Sequence, residues 1–175
     1  LVIQMLESNV NTPLTSSCGR LFDGVAALAG IRSEINYEGQ AAIELENRIS
    51  QNSDDAYNMY LDSNNDGFVI KYDQLVQEVV EDVIAGVTAE KIALKFHNSL
   101  ADVLLQTALE TRQSSQLNKV VLSGGVFMNM YLLDRLEKLL RQRNFEVYWH
   151  TKVPANDGGI SLGQVVIVNS KTKEA

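Results

Sequence analysis

Residues 119–129, with the sequence KVVLSGGVFMN, decide the fold that this chain is expected to adopt. The β-branched run Lys119–Leu122 is typical of a buried strand, and the segment that begins near Asn129 has the apolar spacing of a helix. Between them, Gly124 and Gly125 let the backbone approach a ligand because glycine has no Cβ. Free amides at the helix start favour an anion or a nucleotide, and the Asn129 amide is placed to contact a base or a sugar. A plain tight turn is the alternative that this stretch leaves open.

A second strand and glycine turn follow the same plan. Phe145–Trp149 predicts a strand, and the turn of residues 156–159, NDGG, precedes an apolar helix expected at Ile160–Val168. The carboxylate of Asp157, beside Gly158, is of the kind that holds a metal ion or orients a hydroxyl group. An Asx turn that caps the final helix is the alternative. Because ligands of α/β sheets bind beyond the carboxyl ends of strands, the two turns predict one shared cleft.

The order of helices, strands and glycine turns over residues 118–169 predicts an α/β layered part with parallel strands. Residues 1–117 are predicted to be mainly helical, with a β-hairpin near residues 57–72. The 175 residues are enough for one domain with a core. The helices expected in the first part are Leu1–Ser8, Arg20–Ala29, Gly39–Asn47, Tyr72–Ala85 and Thr88–Gln113.

Two further turns enter helices in the first part of the chain. Asp23 lies one turn into its helix and is expected to point back toward a ligand, or else to interact favourably with the helix dipole. Gly39 opens the next helix, where Glu44 is placed to accept hydrogen bonds from ribose hydroxyls or to form a solvated helix face. For both Asp23 and Glu44, the ligand role and the alternative role stay open at this point.

The charge of the chain excludes several classes of function. A net charge of −7, from 15 basic and 22 acidic residues, argues against a nucleic-acid binder and against docking on an anionic membrane. No apolar run approaches the roughly 20 residues of a membrane span. A single cysteine excludes an internal disulfide bond and fits a cytoplasmic location. The chain begins at Leu1 within a helix-like pattern and is interpreted as a piece of a longer protein.

Two reactive side chains are assigned structural roles. Cys18 has no histidine near it in sequence and is not expected to be a nucleophile. His97 lies beside Phe96 in the long predicted helix, where a hydrogen-bonded core histidine is favoured over a metal ligand.

A polar turn imitates a calcium-binding loop. Asp62, Asn64 and Asp66 occupy the first, third and fifth positions of an EF-hand loop, and Gly67 occupies the sixth. Position twelve is Asp73 rather than the bidentate glutamate, and the flanking runs resemble strands instead of paired helices. Calcium binding is therefore not expected.

Five segments in a fixed order carry a family resemblance over most of the chain. They are residues 15–28, 37–46, 96–101, 122–129 and 156–164, and they include TSSCGRLFD, YEGQAA, FHNSLA, LSGGVFMN and NDGGISLGQ. The order is similar to that of the HypF family, the carbamoyltransferases that mature [NiFe] hydrogenases. The chain resembles the C-terminal part of the kinase-fold, threonylcarbamoyl-transferase-like domain of that family, and residues 1–175 are expected to form a single fragment of it.

The resemblance implies a fold and an activity. The fold is the C-terminal portion of the actin/Hsp70/sugar-kinase-type (RNase H-like) ATPase fold, with a helical insertion and a small β-hairpin. The family uses ATP and carbamoyl phosphate to make carbamoyl-adenylate. It then passes the carbamoyl group to the C-terminal cysteine of a HypE-type acceptor for synthesis of the cyanide ligand. The expected partners are that acceptor and upstream domains of the same chain, and the fragment alone is expected to be inactive.

The resemblance also assigns residues. Asp157 is expected to be catalytic and to bind a divalent metal, iron or zinc, whose remaining ligands form a His-x-x-x-His pair upstream of this fragment. ATP or AMP is expected to contact the other site residues, which are Asp23, Gly39, Glu44, Gly124, Gly125, Asn129 and Gly158. Two alternatives stay open at this point. One is an enzyme like the synthase of threonylcarbamoyl-adenosine in tRNA, and the other is a non-catalytic binding or scaffold module.

Overall fold

The computed structural model describes residues 1–64 and 67–173. Its helices and strands follow one another in an order close to the predicted one. The first part contains α1 (Val2–Glu7), α2 (Cys18–Leu28), α3 (Gln40–Asn47), β1 (Tyr60–Asn64), β2 (Gly67–Lys71), α4 (Asp73–Ile84) and α5 (Ala89–Ser115). The second part contains β3 (Lys119–Leu122), α6 (Met130–Gln142), β4 (Glu146–Trp149) and α7 (Ile160–Lys173), with 3-10 helices at Gly125–Met128 and Asp157–Gly159.

The core forms around helix α5. Thr88 caps this helix by accepting a hydrogen bond from the backbone N–H of Lys91, as the sequence predicts. Helix α6 packs against α5 along one apolar stripe, because Leu132, Leu136 and Leu140 recur at helical spacing and are almost fully buried. Burial of each such leucine contributes about 1.5–3 kcal/mol. The remaining core comes mainly from α2, α3 and α4.

Strands β3 and β4 are parallel, which confirms the prediction for this part of the chain. Their register pairs Lys119 with Glu146 and Leu122 with Trp149. Parallel strands need a crossover connection, and helix α6 provides it. The carboxyl ends of both strands therefore lie at the same edge, and both glycine turns begin there.

The hairpin is antiparallel and pairs Tyr60 with Lys71, but it begins later than predicted. Tyr57, which was predicted to be its first residue, lies before β1 and is buried. The backbone N–H of Tyr57 donates to Ser99 Oγ at 2.7 Å, and its hydroxyl donates to Asp82 Oδ2 at 2.8 Å. These bonds with side chains of α5 and α4 take Tyr57 out of the strand ladder.

Strands are found at both sides of the polar turn that imitates a calcium-binding loop, and they extend further into it than predicted: Asp62 and Asn64 lie in β1 and Gly67 lies in β2. Asp62 forms an ion pair with Lys71 of the facing strand, at 3.7 Å. Asp66, the fifth position of the loop pattern, lies outside the described residues. The absence of calcium binding therefore stays a prediction from the sequence.

One predicted boundary needs correction in the second part of the chain. The final helix was expected to end near Val168, but α7 continues to Lys173. Helix α6 begins at Met130 with Asn129 as its cap, close to the predicted start near Asn129, and the residues between Gly124 and Asn129 form a 3-10 helix. No helix within residues 1–64 and 67–173 has the length and hydropathy needed to cross a bilayer.

Candidate nucleotide site

An open cavity of about 870 Å³ lies where four separate segments of the chain meet. The segments are the start of α2, the loop into α3 with part of that helix, the first glycine turn with its 3-10 helix, and the second glycine turn. Its volume falls within the range of small-molecule and cofactor sites. Residues more than 130 positions apart in sequence thus line the same cavity, which is large enough for a ligand.

Five of the eight predicted site residues line this cavity, and three do not. The five are Asp23, Gly39, Gly125, Asn129 and Asp157. Glu44, Gly124 and Gly158 lie close to these in sequence but are not part of the lining. Their contact with a nucleotide stays a prediction.

Helix α2 places Asp23 on the cavity wall. Ser17 caps the helix by accepting a hydrogen bond from the backbone N–H of Arg20, which fixes where the helix begins. One turn later, Asp23 forms a partly exposed ion pair with Arg20 at 3.6 Å. Exposed pairs of this kind are worth at most about 1 kcal/mol, so the carboxylate is readily available to a ligand hydroxyl.

Gly39 lines the cavity at the start of α3, and its backbone is left-handed, with φ of 78°, a conformation that favours glycine. Next to it, Gln40 accepts a hydrogen bond from the Asn36 N–H at 2.8 Å and donates one to Glu44 at 3.0 Å. Glu44 also accepts two hydrogen bonds from the guanidinium of Arg32, at 2.9 and 2.7 Å. The hydrogen bonds from Arg32 hold the pKa of the Glu44 carboxyl below its usual value. Both oxygens of Glu44 therefore brace the loop that carries Gly39.

The two glycine turns are joined directly. Gly124 has φ of 100° and ψ of 162°, a conformation that is essentially restricted to glycine. In this conformation its N–H donates to the carbonyl of Ala155, at 3.1 Å, across the two turns. Gly124 therefore supports the site by fixing Gly125 of one turn beside Asn156 of the other.

The second turn is an Asx turn, but its side chain comes from Asn156 rather than Asp157. Asn156 Oδ1 accepts a hydrogen bond from the Gly158 N–H at 3.0 Å. A Cβ at Gly158 would lie 3.0 Å from that same oxygen, a tight contact that would require the Asn156 side chain to shift. Because Asn156 closes the turn, the Asp157 carboxylate is left exposed at the cavity.

The start of α6 is capped by protein side chains, contrary to the expected free amides. The N–H of Leu132 donates to Asn129 Oδ1 at 2.9 Å, and the N–H of Tyr131 donates to Glu46 Oε1 at 3.0 Å. An anion at this helix start would have to displace both groups. Glu46 lines the cavity and was missed from the sequence. No local pattern indicates this role, because its hydrogen-bond partner Tyr131 is 85 positions away in sequence.

His97 is a hydrogen-bonded core histidine, which confirms the prediction. Its side chain is fully buried, and Nδ1 donates to the carbonyl of Ala93 at 2.7 Å. Nε2 then carries no proton and accepts a hydrogen bond from Asn129 Nδ2 at 2.8 Å. Burial lowers the pKa of His97 to about 4, so the ring is neutral at physiological pH.

This histidine makes stability depend on pH. A histidine whose pKa is about 4 in the folded chain binds fewer protons than in the unfolded chain, where the pKa is near 6.5. The contribution of His97 to the free energy of unfolding is complete above pH 6.5. As the pH falls toward 4, the unfolded chain gains the proton and the free energy of unfolding drops by a total on the order of 3 kcal/mol. We expect the His97→Gln variant to show a flatter dependence of unfolding free energy on pH in this window, measured by urea denaturation. The His150→Gln variant is the control, and an unchanged slope in His97→Gln would contradict the assignment.

The thiol of Cys18 shows no sign of activation. Its side chain is half-buried, and burial raises the pKa of the thiol above its ordinary value. A raised pKa keeps the thiolate population small at neutral pH.

The charges around the cavity favour a cation and hydroxyl groups over a bare phosphate. Four carboxylates face it, from Asp23, Glu38, Glu46 and Asp157, while Arg20 supplies the guanidinium. In the described part of the chain, no group of three or more histidine, cysteine, aspartate or glutamate side chains converges to hold a metal ion.

Comparisons with known proteins give one consistent family. The profile of "Carbamoyltransferase, Kae1-like Domain, second subdomain" matches residues 1–164. The chain is 36% identical over 165 residues to Carbamoyltransferase HypF from Synechocystis sp., which covers 94% of this chain and 21% of that one. A crystal structure of full-length HypF in the phosphate- and nucleotide-bound form superposes with a TM-score of 0.87 at 43% identity, over 97% of this chain and 22% of that chain. HypF of T. kodakarensis superposes with a TM-score of 0.81 at 28% identity, over 99% and 22% of the two chains.

The chain thus spans about a fifth of the length of these relatives. Its fold is the Kae1-like fold of the actin/Hsp70/sugar-kinase type that the motifs led us to expect. This chain belongs to the HypF carbamoyltransferase family and corresponds to the second subdomain of the Kae1-like domain.

Proposed function

We propose that this chain forms part of the nucleotide cleft of an ATP-dependent carbamoyltransferase that acts in the maturation of [NiFe] hydrogenases. One observation carries the proposal: residues from four separate turns, among them Asp23, Gly125, Asn129 and Asp157, line a single cavity of about 870 Å³. A similar protein, full-length HypF, has been crystallised in a phosphate- and nucleotide-bound form, which supports a nucleotide as the ligand.

The substrates that fit this family are ATP and carbamoyl phosphate. Water cleaves carbamoyl phosphate to carbamate and inorganic phosphate, and the carbamate oxygen attacks the α-phosphate of ATP, which gives carbamoyl-adenylate and releases pyrophosphate. The thiolate of the C-terminal cysteine of a HypE-type acceptor then attacks the carbamoyl carbon. A C–S bond forms, the C–O bond to the adenylate phosphate breaks, and AMP leaves with the electron pair. Because a mixed anhydride is already activated, the protein needs mainly to position it and to stabilise charge.

The cavity residues are suited to that limited role. The Asp23 carboxylate accepts hydrogen bonds from ribose hydroxyls, and Asn129 contacts the nucleoside. Gly39 and Gly125 leave room for the ligand against the backbone, since neither has a side chain within the cavity. No nucleophile–base pair from the cavity lining is required, because the acceptor protein brings the thiol.

Asp157 fits the role of a metal ligand. Its carboxylate is exposed at a cavity wall that carries more negative than positive side chains, and a divalent cation would offset this charge. Asp157 alone would hold iron or zinc weakly, so we expect the other metal ligands to come from upstream of residues 1–175. A bound metal would polarise the carbamoyl oxygen as a Lewis acid.

The test is a transfer assay with the full-length protein, ATP, carbamoyl phosphate and a HypE-type acceptor. We expect AMP release that depends on carbamoyl phosphate, and an increase in acceptor mass equal to one carbamoyl group. An acceptor whose C-terminal cysteine is replaced by serine is the matched control and should gain no mass. Absence of transfer to the thiol, or transfer to an adenosine of tRNA instead, would refute the proposal.

A further inference from the structure

The side-chain amide of Asn129 is fixed by two contacts that agree on its orientation. Its Oδ1 accepts the N–H of Leu132 at the start of α6, and its Nδ2 donates to His97 Nε2. A helix cap requires an oxygen at one end of the amide, and an unprotonated ring nitrogen requires an N–H at the other. The amide therefore cannot flip without losing both bonds.

His97 can act as an acceptor because its other nitrogen is committed. The Nδ1–H donates to the carbonyl of Ala93 at 2.7 Å within helix α5, which determines the tautomer and leaves Nε2 with a lone pair. The ring itself is held by edge-to-face contacts with Phe22, Phe96 and Tyr131, with centroids 5.4 to 5.6 Å away. The imidazole is thus fixed in position, rotation and protonation.

The Asn129 amide keeps hydrogen-bonding capacity for a ligand. An amide has two N–H donors and two acceptor lone pairs, of which His97 and Leu132 each use one. Asn129 lines the cavity while being only 7% exposed. One N–H on Nδ2 and one lone pair on Oδ1 are therefore left for a ligand, and the positions of the two ends of the amide are fixed.

We propose that His97 is a positioning residue for nucleotide binding, acting through Asn129 by fixing which end of the amide presents its donor to the ligand. The inference rests on the proposed nucleotide site but adds a residue that does not line the cavity. Without an acceptor at Nε2, only the hydrogen bond with the Leu132 N–H would hold the Asn129 amide. Ordering the amide would then cost free energy when the nucleotide binds, which would lower the affinity.

Two substitutions separate this role from a purely structural one. The side chain of His97→Asn ends near the position of Nδ1, so it keeps a partner for Ala93 and loses the contact with Asn129. The side chain of His97→Gln reaches the position of Nε2, where its Oε1 accepts from Asn129. In the full-length protein we expect His97→Asn to weaken adenosine-nucleotide affinity roughly tenfold, the scale of one lost hydrogen bond, and His97→Gln to stay within about threefold of wild type.

Isothermal titration with ADP gives the affinity, and steady-state kinetics should show the loss in the KM for ATP with kcat nearly unchanged. The control is Ser99→Ala, on the same helix, which removes the buried hydrogen bond from the Tyr57 N–H and should bind ADP as wild type does. If His97→Asn binds ADP like wild type, or His97→Gln binds as weakly as His97→Asn, the inference is wrong. A wild-type protein that does not bind ADP would overturn both this inference and the proposed function.

A measurement on the unmodified protein does not depend on how well the variants fold. Nitrogen NMR of the histidine rings distinguishes the two neutral tautomers, and we expect the Nδ1–H form for His97. The Nε2–H form would make Nε2 a donor and would require the opposite orientation of the Asn129 amide. That result would contradict the inference.

Discussion

The Asp157→Ala variant of the full-length protein is expected to lose carbamoyl transfer by at least about 10³-fold, because it removes the carboxylate that we propose as a metal ligand, and a bound metal would stabilise charge on the carbamoyl oxygen. Its fold should be unaffected. Asn156, not Asp157, closes the turn by accepting the Gly158 N–H, and Asp157 is exposed. The measurements are the rate of AMP release in the presence of acceptor and the thermal unfolding midpoint.

The Asp134→Ala variant is a matched control for this experiment. Asp134 is an exposed carboxylate on α6 that does not line the cavity, so its removal should leave the transfer rate near that of wild type. Asp157→Asn should retain little activity, because a neutral amide is a poorer ligand for a divalent cation than a carboxylate. Wild-type rates in Asp157→Ala would remove this residue from the site.

The Gly125→Val variant is expected to weaken nucleotide binding by at least about a hundredfold, since the branched side chain would occupy space that the ligand needs. The structure predicts a graded response. A Cβ at Gly125 would lie 3.8 Å from the Cβ of Asn156, which is an ordinary contact, and Gly125 has no left-handed backbone requirement. Gly125→Ala should therefore fold normally and lose only a few fold in affinity.

Titration of the full-length variants with ADP checks this series. Gly24→Ala is the control, because Gly24 lies within α2 and a Cβ there meets no atom within 4 Å among the described residues. Equal affinity in Gly125→Val and wild type would show that the ligand does not approach the first glycine turn.

Local sequence patterns were sufficient to predict most of the fold. The period of the apolar residues identified the helices, and the alternation of short apolar runs with helices identified a parallel pair of strands on either side of α6. The boundaries that failed depend on tertiary contacts. Tyr57 leaves the hairpin because side chains of α4 and α5 bind it, and no local pattern encodes those partners.

The candidate site shows a similar division. Five predicted residues line one cavity because glycine turns at strand ends and polar helix starts are local signals. Glu46 and the link between His97 and Asn129 were not predicted, because each joins residues more than 30 positions apart. Glu44 was given a ligand role from its place in a motif, whereas its geometry shows an ion pair with Arg32.

The central claim is that the four turns bind a single adenosine nucleotide. A crystal structure of the full-length protein with a carbamoyl-adenylate mimic tests it most directly. We predict ribose hydroxyls within hydrogen-bond distance of Asp23, the nucleoside beside Asn129, and the carbamoyl group on the side of Asp157. A mimic bound elsewhere, with these three side chains still in contact only with solvent or protein, would contradict the account.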